Sequence, residues 1–237
     1  MGQKKLIRFA ELNTFANVLQ YPQGMAGRWH EPFKNTNPIT LELACGKGEY
    51  TLGLAQLHPD RNFIGVDQKG NRLWAGAKKA LALGLPNVLF LRAQIDGLLE
   101  FFGEAEVAEI WITFPDPQLR ISKDKKRLTH PKFLRLYHHI LQPGGKIHLK
   151  TDSPQLYTFT KRVIERYGCI LIEDTDDLYA QAQRTPELLL KTYYESLDIA
   201  GSNRVHYLCF TLPVSLPGRE LDAILHEELK KDAAALS

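Results

Sequence analysis

From residue 39 onward, short apolar runs alternate with longer segments whose apolar positions recur every three or four residues. The runs "ITLELA", "NFIGVD", "NVLFLRA", "EIWITF", "KIHLKTD" and "CILIED" read as strands. Between them, "EYTLGLAQLH", "NRLWAGAKKALALG", "PKFLRLYHHIL" and "PQLYTFTKRVIERYG" read as helices, with a shorter helical candidate at Gly97–Phe102. Late in the chain "RVHYLCFTL" is rich in strand formers. It follows a long irregular region with no strong crossover helix, so an antiparallel strand is expected there. Glu220–Ala235 is predicted as a surface helix. Residues 1–38 differ in kind. A helical candidate near Phe9–Gln20 precedes the Pro/Gly-rich passage "YPQGMAGRWHEPFKNTNP", which suggests an arm over the core.

This alternation predicts an α/β fold: a doubly wound, mainly parallel, seven-stranded sheet with helices on both faces. The expected division is an arm over 1–38, a main domain over 39–217 and a C-terminal helix over 218–237. Composition adds little. The 237 residues are 44% apolar and 24% charged, with a net charge of +3. Cys45, Cys169 and Cys209 are widely spaced, which argues against a metal site or a disulfide framework and fits a reducing compartment. "MGQKKLIRFA" lacks the apolar core of a signal peptide, and no apolar run is long enough to span a bilayer. A soluble cytoplasmic protein is expected, with no membrane and no metal.

Sheets of this kind place ligands outside the carboxyl ends of their strands. At the first tip, "LELACGKGEY" runs from strand through Gly46 and Gly48 into a helix, and glycines there let backbone approach a ligand. Asp67 ends the second strand, where a carboxylate can accept both hydroxyls of a ribose. Thr51 stands where a dinucleotide fingerprint has its third glycine. Glu42 adds negative charge that would repel a pyrophosphate. A cationic nucleoside cofactor, S-adenosylmethionine, therefore fits better than a dinucleotide.

At the fourth tip, in "FPDPQLRISKDKKRL", Asp116 stands between two prolines that stiffen its backbone. Arg120, Lys123, Lys125, Lys126 and Arg127 follow, opposed only by Asp124, and Lys132 and Arg135 lie on the next helix. The pattern reads as a carboxylate that meets an acceptor base and cations that hold a phosphate backbone. Guanine N7 suits such a site. Its lone pair is unprotonated at neutral pH, so catalysis is mainly positioning, and a carboxylate can accept from N1–H and N2–H₂. An exocyclic-amine enzyme would show Pro-Pro-aromatic here, and a cytosine C5 enzyme would need a nearby cysteine.

These residues carry a family likeness. The chain resembles the bacterial tRNA (guanine-N7-)-methyltransferases from about Arg28 to about Leu212. The likeness rests on "GRWHEPFKNTNPITLELACGKGEY", "NFIGVD", "WITFPDPQLRISKDKKRLTHPKFL", "LQPGGKIHLKTD" and "TYYE". It implies a class I, Rossmann-like methyltransferase that uses S-adenosylmethionine to methylate a tRNA variable-loop guanine (guanine 46 in tRNA numbering). It implies that Glu42, Gly46 and Gly48 hold the methionine end of the cofactor and Asp67 the ribose, with Gln94 and Ile95 beside the adenine. It makes Asp116 the key site carboxylate. It assigns Arg120, Asp152, Thr192 and Glu195 to the substrate side, with Lys123, Lys125, Lys126 and Arg127 on the tRNA backbone. Ala44 replaces a loop glycine, Gln94 an acid that is common at its position, and Gln118 the usual tryptophan. The Gln94 and Gln118 departures motivate an alternative, a non-catalytic RNA-binding protein with a methyltransferase fold.

Other residues have plainer readings. Asp152 can cap the helix that begins near Ser153. Cys45 reads as a small buried neighbour of the loop, His138 and His139 as structural or solvent-exposed. Tyr193 and Tyr194 either stack on a base or pack.

Overall fold

Strands form where the apolar runs lie, and the continuous runs are those covered on both faces. The computed structural model describes residues 3–197 and 204–235. Residues 1, 2, 198–203, 236 and 237 of the expected segments lie outside the described residues. The strands are β1 (Val18–Gln20), β2 (Ile39–Leu43), β3 (Asn62–Asp67), β4 (Val88–Arg92), β5 (Val107–Thr113), β6 (Leu141–Thr151), β7 (Ile170–Thr175) and β8 (His206–Thr211). Among the described residues they form one sheet in the order β1-β4-β3-β2-β5-β6-β8-β7. All pairings are parallel except those of β8, which runs antiparallel to both β6 and β7. The seven expected strands are present, with the last one antiparallel as predicted.

The eighth strand comes from the N-terminal segment, where the expected helix near Phe9–Gln20 is corrected. Helix α1 spans Gln3–Leu12 and the chain then becomes extended as β1. Two anchors draw it onto the sheet edge. The Asn17 side chain donates to the Ala77 carbonyl, and the Asn17 carbonyl accepts the Phe90 amide. Pairing of Val18 with Phe90 extends the parallel ladder. The Gly97–Phe102 candidate is a 3-10 turn over Ile95–Glu100.

Helices cover both faces. On one side lie α3 (Glu49–Leu57) and α4 (Gly70–Ala82), whose Tyr50, Leu54, Leu73, Ala77 and Ala80 pack on Phe63, Phe90, Trp111 and Tyr207. On the other lie α2 (His30–Phe33), α5 (Pro131–Ile140), α6 (Pro154–Arg166) and α8 (Glu220–Ala235). Their Phe33, Phe133, Leu134, Phe159, Val163 and Leu225 join Leu41, Leu43, Ile64, Ile112 and Leu149 in a larger core. Both α5 and α6 begin with Pro at the first turn, where a missing N–H costs nothing. The cap of α6 is Ser153, whose hydroxyl accepts the Leu156 amide. Ser153 thus takes the capping role that was the plainer alternative for Asp152.

After β7 the chain returns over α3 as a strap. It contains α7 (Pro186–Leu189) and ends in a 3-10 turn at Glu195–Leu197. Leu190 packs so closely on Gly53 that a Cβ there would meet it at 2.7 Å. No helix of the described residues is long and apolar enough to cross a membrane.

Candidate active site

The strand order reverses between β2 and β5, and the carboxyl ends of these strands open into a cleft of about 1050 Å³. Gly46, Asp67, Gln94, Ile95, Asp116, Lys125, Lys126, Asp152 and Thr192 all line it. Glu42, Gly48, Arg120, Lys123, Arg127 and Glu195 do not, and each has a definite place elsewhere.

Glu42 lies beneath the loop, 2% exposed. One carboxylate oxygen accepts the Thr51 amide at 2.7 Å and the Thr51 hydroxyl, and the other accepts the Thr113 hydroxyl at 2.8 Å. It thus ties the tips of β2 and β5 to the start of α3 instead of lining the cleft. Burial pushes this carboxyl up to about 7, partly opposed by its hydrogen bonds from Thr51 and Thr113. The folded state then binds more protons than the unfolded state from about pH 4.5 to about 7, so stability falls as pH rises through that window. Glu42→Gln keeps an acceptor for Thr51 and a donor for Thr113 but cannot ionise. Relative to the parent, the variant is expected to gain roughly 2 kcal/mol between about pH 5 and about pH 6.5. Urea melts of both proteins at the two pH values measure it.

Gly48 is also structural. Its φ is +70°, and a Cβ there would meet the Phe90 ring at 2.5 Å. Gly46, at φ +59°, does face the cleft, and the nearest atom a Cβ would meet is a Tyr194 ring carbon at 3.8 Å. Asp67 closes this end. Its carboxylate accepts the Gly46 amide at 3.1 Å and the Lys69 amide at 2.7 Å, and each oxygen keeps lone pairs toward the cleft. Ala44 stands at φ +59°, in the left-handed region where a side chain costs about 1–2 kcal/mol. Ala44→Gly should therefore stabilise the fold by up to about 1 kcal/mol, after allowing for the freer unfolded chain. A thermal melt about 2–4 °C higher would show it.

Across the cleft, the Phe114–Gln118 tip is held in an unusual shape. Phe114 and Gln118 both have φ +47°, and Asp116 between them is exposed. One Asp116 oxygen accepts the Gln118 amide at 3.0 Å, which fixes the carboxylate in a short Asx turn. The Phe114 amide donates to the Lys150 carbonyl at 2.8 Å and locks this tip to β6, where Asp152 also lines the cleft.

The basic segment divides. Arg120 and Lys123 are exposed outside the cleft, while Lys125 and Lys126 are exposed at its rim. Arg127 corrects the expectation of a phosphate contact. It is 5% exposed, its guanidinium lies 4.4 Å from the Phe159 ring centre, and it donates to the Gln118 carbonyl at 3.2 and 3.3 Å. Arg127 therefore supports the Asp116 turn from behind. Asp124, the one acid of the run, is buried as well. It accepts the Lys125 amide and meets His226 of α8 at 2.7 Å, so it does not offset the outward lysines. Arg135 pairs with Asp222 at 2.8 Å and is likewise engaged internally.

Glu195 is a further correction. Its carboxylate is buried against Lys150 Nζ at 3.1 Å, with the Tyr179 hydroxyl donating to its other oxygen. Thr192 and Glu195 form a reciprocal capping box: the Glu195 amide donates to Thr192 Oγ1 and the Thr192 amide to Glu195. The Thr-x-x-Glu spacing has a conformational cause. Residue reading missed Lys69 and Arg72, which line the cleft beside Asp67, whereas Tyr194, named as a stacking or packing residue, lines it beside Gly46. Two cations just after the ribose carboxylate, in "DQKGNR", were the available signal.

The cleft can take a nucleoside. Beside the β2 and β3 tips it offers a glycine turn, a two-oxygen acceptor at Asp67 and apolar Ile95, and it is lined by Lys69, Arg72, Lys125, Lys126 and Lys132 as well as by the carboxylates of Glu49, Asp67, Asp96, Asp116 and Asp152. Its volume, at the upper end of small-molecule sites, leaves space for an acceptor base beside a cofactor. Among the described residues, no group of three His, Cys, Asp or Glu side chains is placed to hold a metal ion.

A mainly parallel sheet in this order, with one antiparallel strand and a cleft at the switch point, defines a class I methyltransferase fold. The 16S rRNA methyltransferase KamB superimposes with a TM-score of 0.59 at 18% identity, over 81% of this chain and 96% of that one. A family model described as putative methyltransferase matches residues 36–197. The tRNA (guanine-N(7)-)-methyltransferase of Porphyromonas gingivalis is 50% identical over 213 residues, covering 85% of this chain and 86% of that protein. The enzyme of the same name from Bacteroides fragilis is 45% identical over 94% of this chain and 91% of its own length. The chain belongs to the tRNA (guanine-N(7)-)-methyltransferase family.

Proposed function

We propose that this protein transfers a methyl group to N7 of a guanine in the tRNA variable loop, with Asp116 as the residue that positions the base. The observation that carries this reading is the single cleft shared by Gly46 and Asp67 on one wall and Asp116 and Asp152 on the other. S-adenosylmethionine supplies the methyl group. Gly46 and Asp67 hold it at the methionine and ribose ends, and Gln94 and Ile95 flank its adenine. Asp116, stiffened by Pro115, Pro117 and the bond from the Gln118 amide, accepts from guanine N1–H and N2–H₂. That fixes the ring so that N7 meets the methyl group in line, and it offsets the positive charge that the ring acquires. No base is needed, because N7 carries no proton at neutral pH.

Lys123, Lys125 and Lys126, with Arg120 beside them, hold the phosphate backbone around the cleft mouth. The reaction belongs in the cytoplasm, in keeping with three free cysteines. Incubation with S-adenosylmethionine and unmodified tRNA transcripts, followed by digestion and mass spectrometry, tests the function. N7-methylguanosine is the expected product. Bound tRNA and bound cofactor without any methylated nucleoside would favour the non-catalytic RNA-binding reading instead.

A further inference from the structure

Lys150 is the one lysine of β6 whose side chain is wholly enclosed, at 0% exposure. It stands two residues before Asp152, on the sheet face that the strap covers. Its ammonium donates to the Leu190 carbonyl at 2.7 Å, the Leu188 carbonyl at 3.2 Å and the Glu195 carboxylate at 3.1 Å. The carbonyls are those left open where α7 ends, a place that suits a cation. The rings of Tyr50, Phe114 and Tyr179 surround it with centres 5.6, 5.8 and 5.7 Å away. These partners come from α3, from the β5 tip and from the strap.

At the far end of the strap Leu190 packs on Gly53 and Lys47 Nζ lies 3.7 Å from the Tyr193 ring centre, but the buried polar tie is Lys150. Leu188 is buried, but Leu189, Tyr193 and Leu197 are about half exposed. The α7 end is fastened to α3 through Glu187, which meets His58 at 2.6 Å. Residues 191–197 are fastened through Glu195, and this stretch carries Thr192 and Tyr194 into the cleft. Tyr194 lies over the Gly46 turn.

We propose that Lys150 is a positioning residue for the cofactor: as a buried cation it latches the strap shut, so that Tyr194 and Thr192 complete the wall of the cofactor pocket. The inference rests on the reading of this cleft as a cofactor site. A latch of this kind sets the fraction of molecules whose pocket is complete, and apparent affinity scales with that fraction. Removal of Lys150 leaves the Glu195 carboxylate buried without its cation, and the strap end must open to hydrate it.

The test compares the parent with Lys150→Met, Glu195→Gln and the double variant, each shown to be folded by circular dichroism. The dissociation constant for S-adenosylmethionine is expected to rise about tenfold or more in each variant, and the double variant to lose no more than the worse single one. KM for the cofactor should rise by a similar factor, while kcat on tRNA at saturating cofactor falls less than about threefold. Trypsin should cut after Lys191 faster in the variants than in the parent. A merely structural lysine would lower the melting temperature and leave cofactor affinity and the KM-to-kcat split untouched. If Lys150→Met does not fold, Glu195→Gln probes the same latch. Folded variants with cofactor affinity within about twofold of the parent and an unchanged tryptic pattern would overturn the proposal. A parent that binds no S-adenosylmethionine would overturn the cofactor reading and this inference with it.

Discussion

Asp116→Asn is expected to lower kcat for methyl transfer to tRNA by at least about a hundredfold, with S-adenosylmethionine affinity within about twofold of the parent. Asparagine is the informative substitution. Its side-chain oxygen can still accept the Gln118 amide, so the turn survives. What is lost is the negative charge and one acceptor, and the new amide N–H₂ faces the guanine donors it should receive. The tip is also held by the Phe114 amide on the Lys150 carbonyl and by Arg127 on the Gln118 carbonyl, so its shape persists in the variant. A purely structural Asp116 would be replaced by Asn with little loss. Steady-state kinetics with calorimetric cofactor titration separate the cases, and turnover near the parent's would remove Asp116 from the reaction.

The second large effect concerns tRNA. Replacement of Lys123, Lys125 and Lys126 by Gln is expected to weaken tRNA binding roughly a hundredfold near 0.1 M salt and to reduce the slope of log K against log salt by about 2. These three side chains are exposed on one short turn, and the only acid among them is turned inward to His226. Arg127 is left out on purpose, since its guanidinium is sequestered between Phe159 and the Gln118 carbonyl. Arg127→Ala should lower thermal stability and disturb the Asp116 turn while the salt slope stays as in the parent. Filter binding across a salt series distinguishes the two variants. An unchanged slope in the triple variant would mean that the backbone is held elsewhere.

Most of the sheet was legible because its strands are buried on both faces and announce themselves as uninterrupted apolar runs. "NFIGVD" is β3 to the residue, and Glu220–Ala235 is α8. The N-terminal segment was not legible, because Val18–Gln20 is extended only where β4 offers it an edge. Local propensity cannot report that. The site divides the same way. Gly46, Asp67, Asp116 and Asp152 lie at strand tips, which topology alone brings together. Arg127 and Glu195 look like surface charges in one dimension, and both are buried by partners far along the chain. Glu195 needs Lys150, and Arg127 needs Phe159. A run of charges says nothing about which members turn inward. Gln118 shows a further limit, since its backbone, through the Asp116 and Arg127 bonds, is what the site uses in this structure.

The position of β8 bears on how the chain is made. β8 lies between β6 and β7, yet it is synthesised after both. As the polypeptide leaves the ribosome, β6 therefore waits with one open edge, and β7 waits with no partner at all. β7 begins Ile170-Leu171-Ile172, and all three remain exposed even in the finished fold. At about 5–20 residues per second, the interval before His206–Thr211 emerges lasts seconds, during which two strands stand with open edges ready to pair with a neighbour. The last strand inserted is thus the one that closes the β6 edge and gives β7 its partner. Nascent chains stalled shortly before it should be the species that chaperones hold.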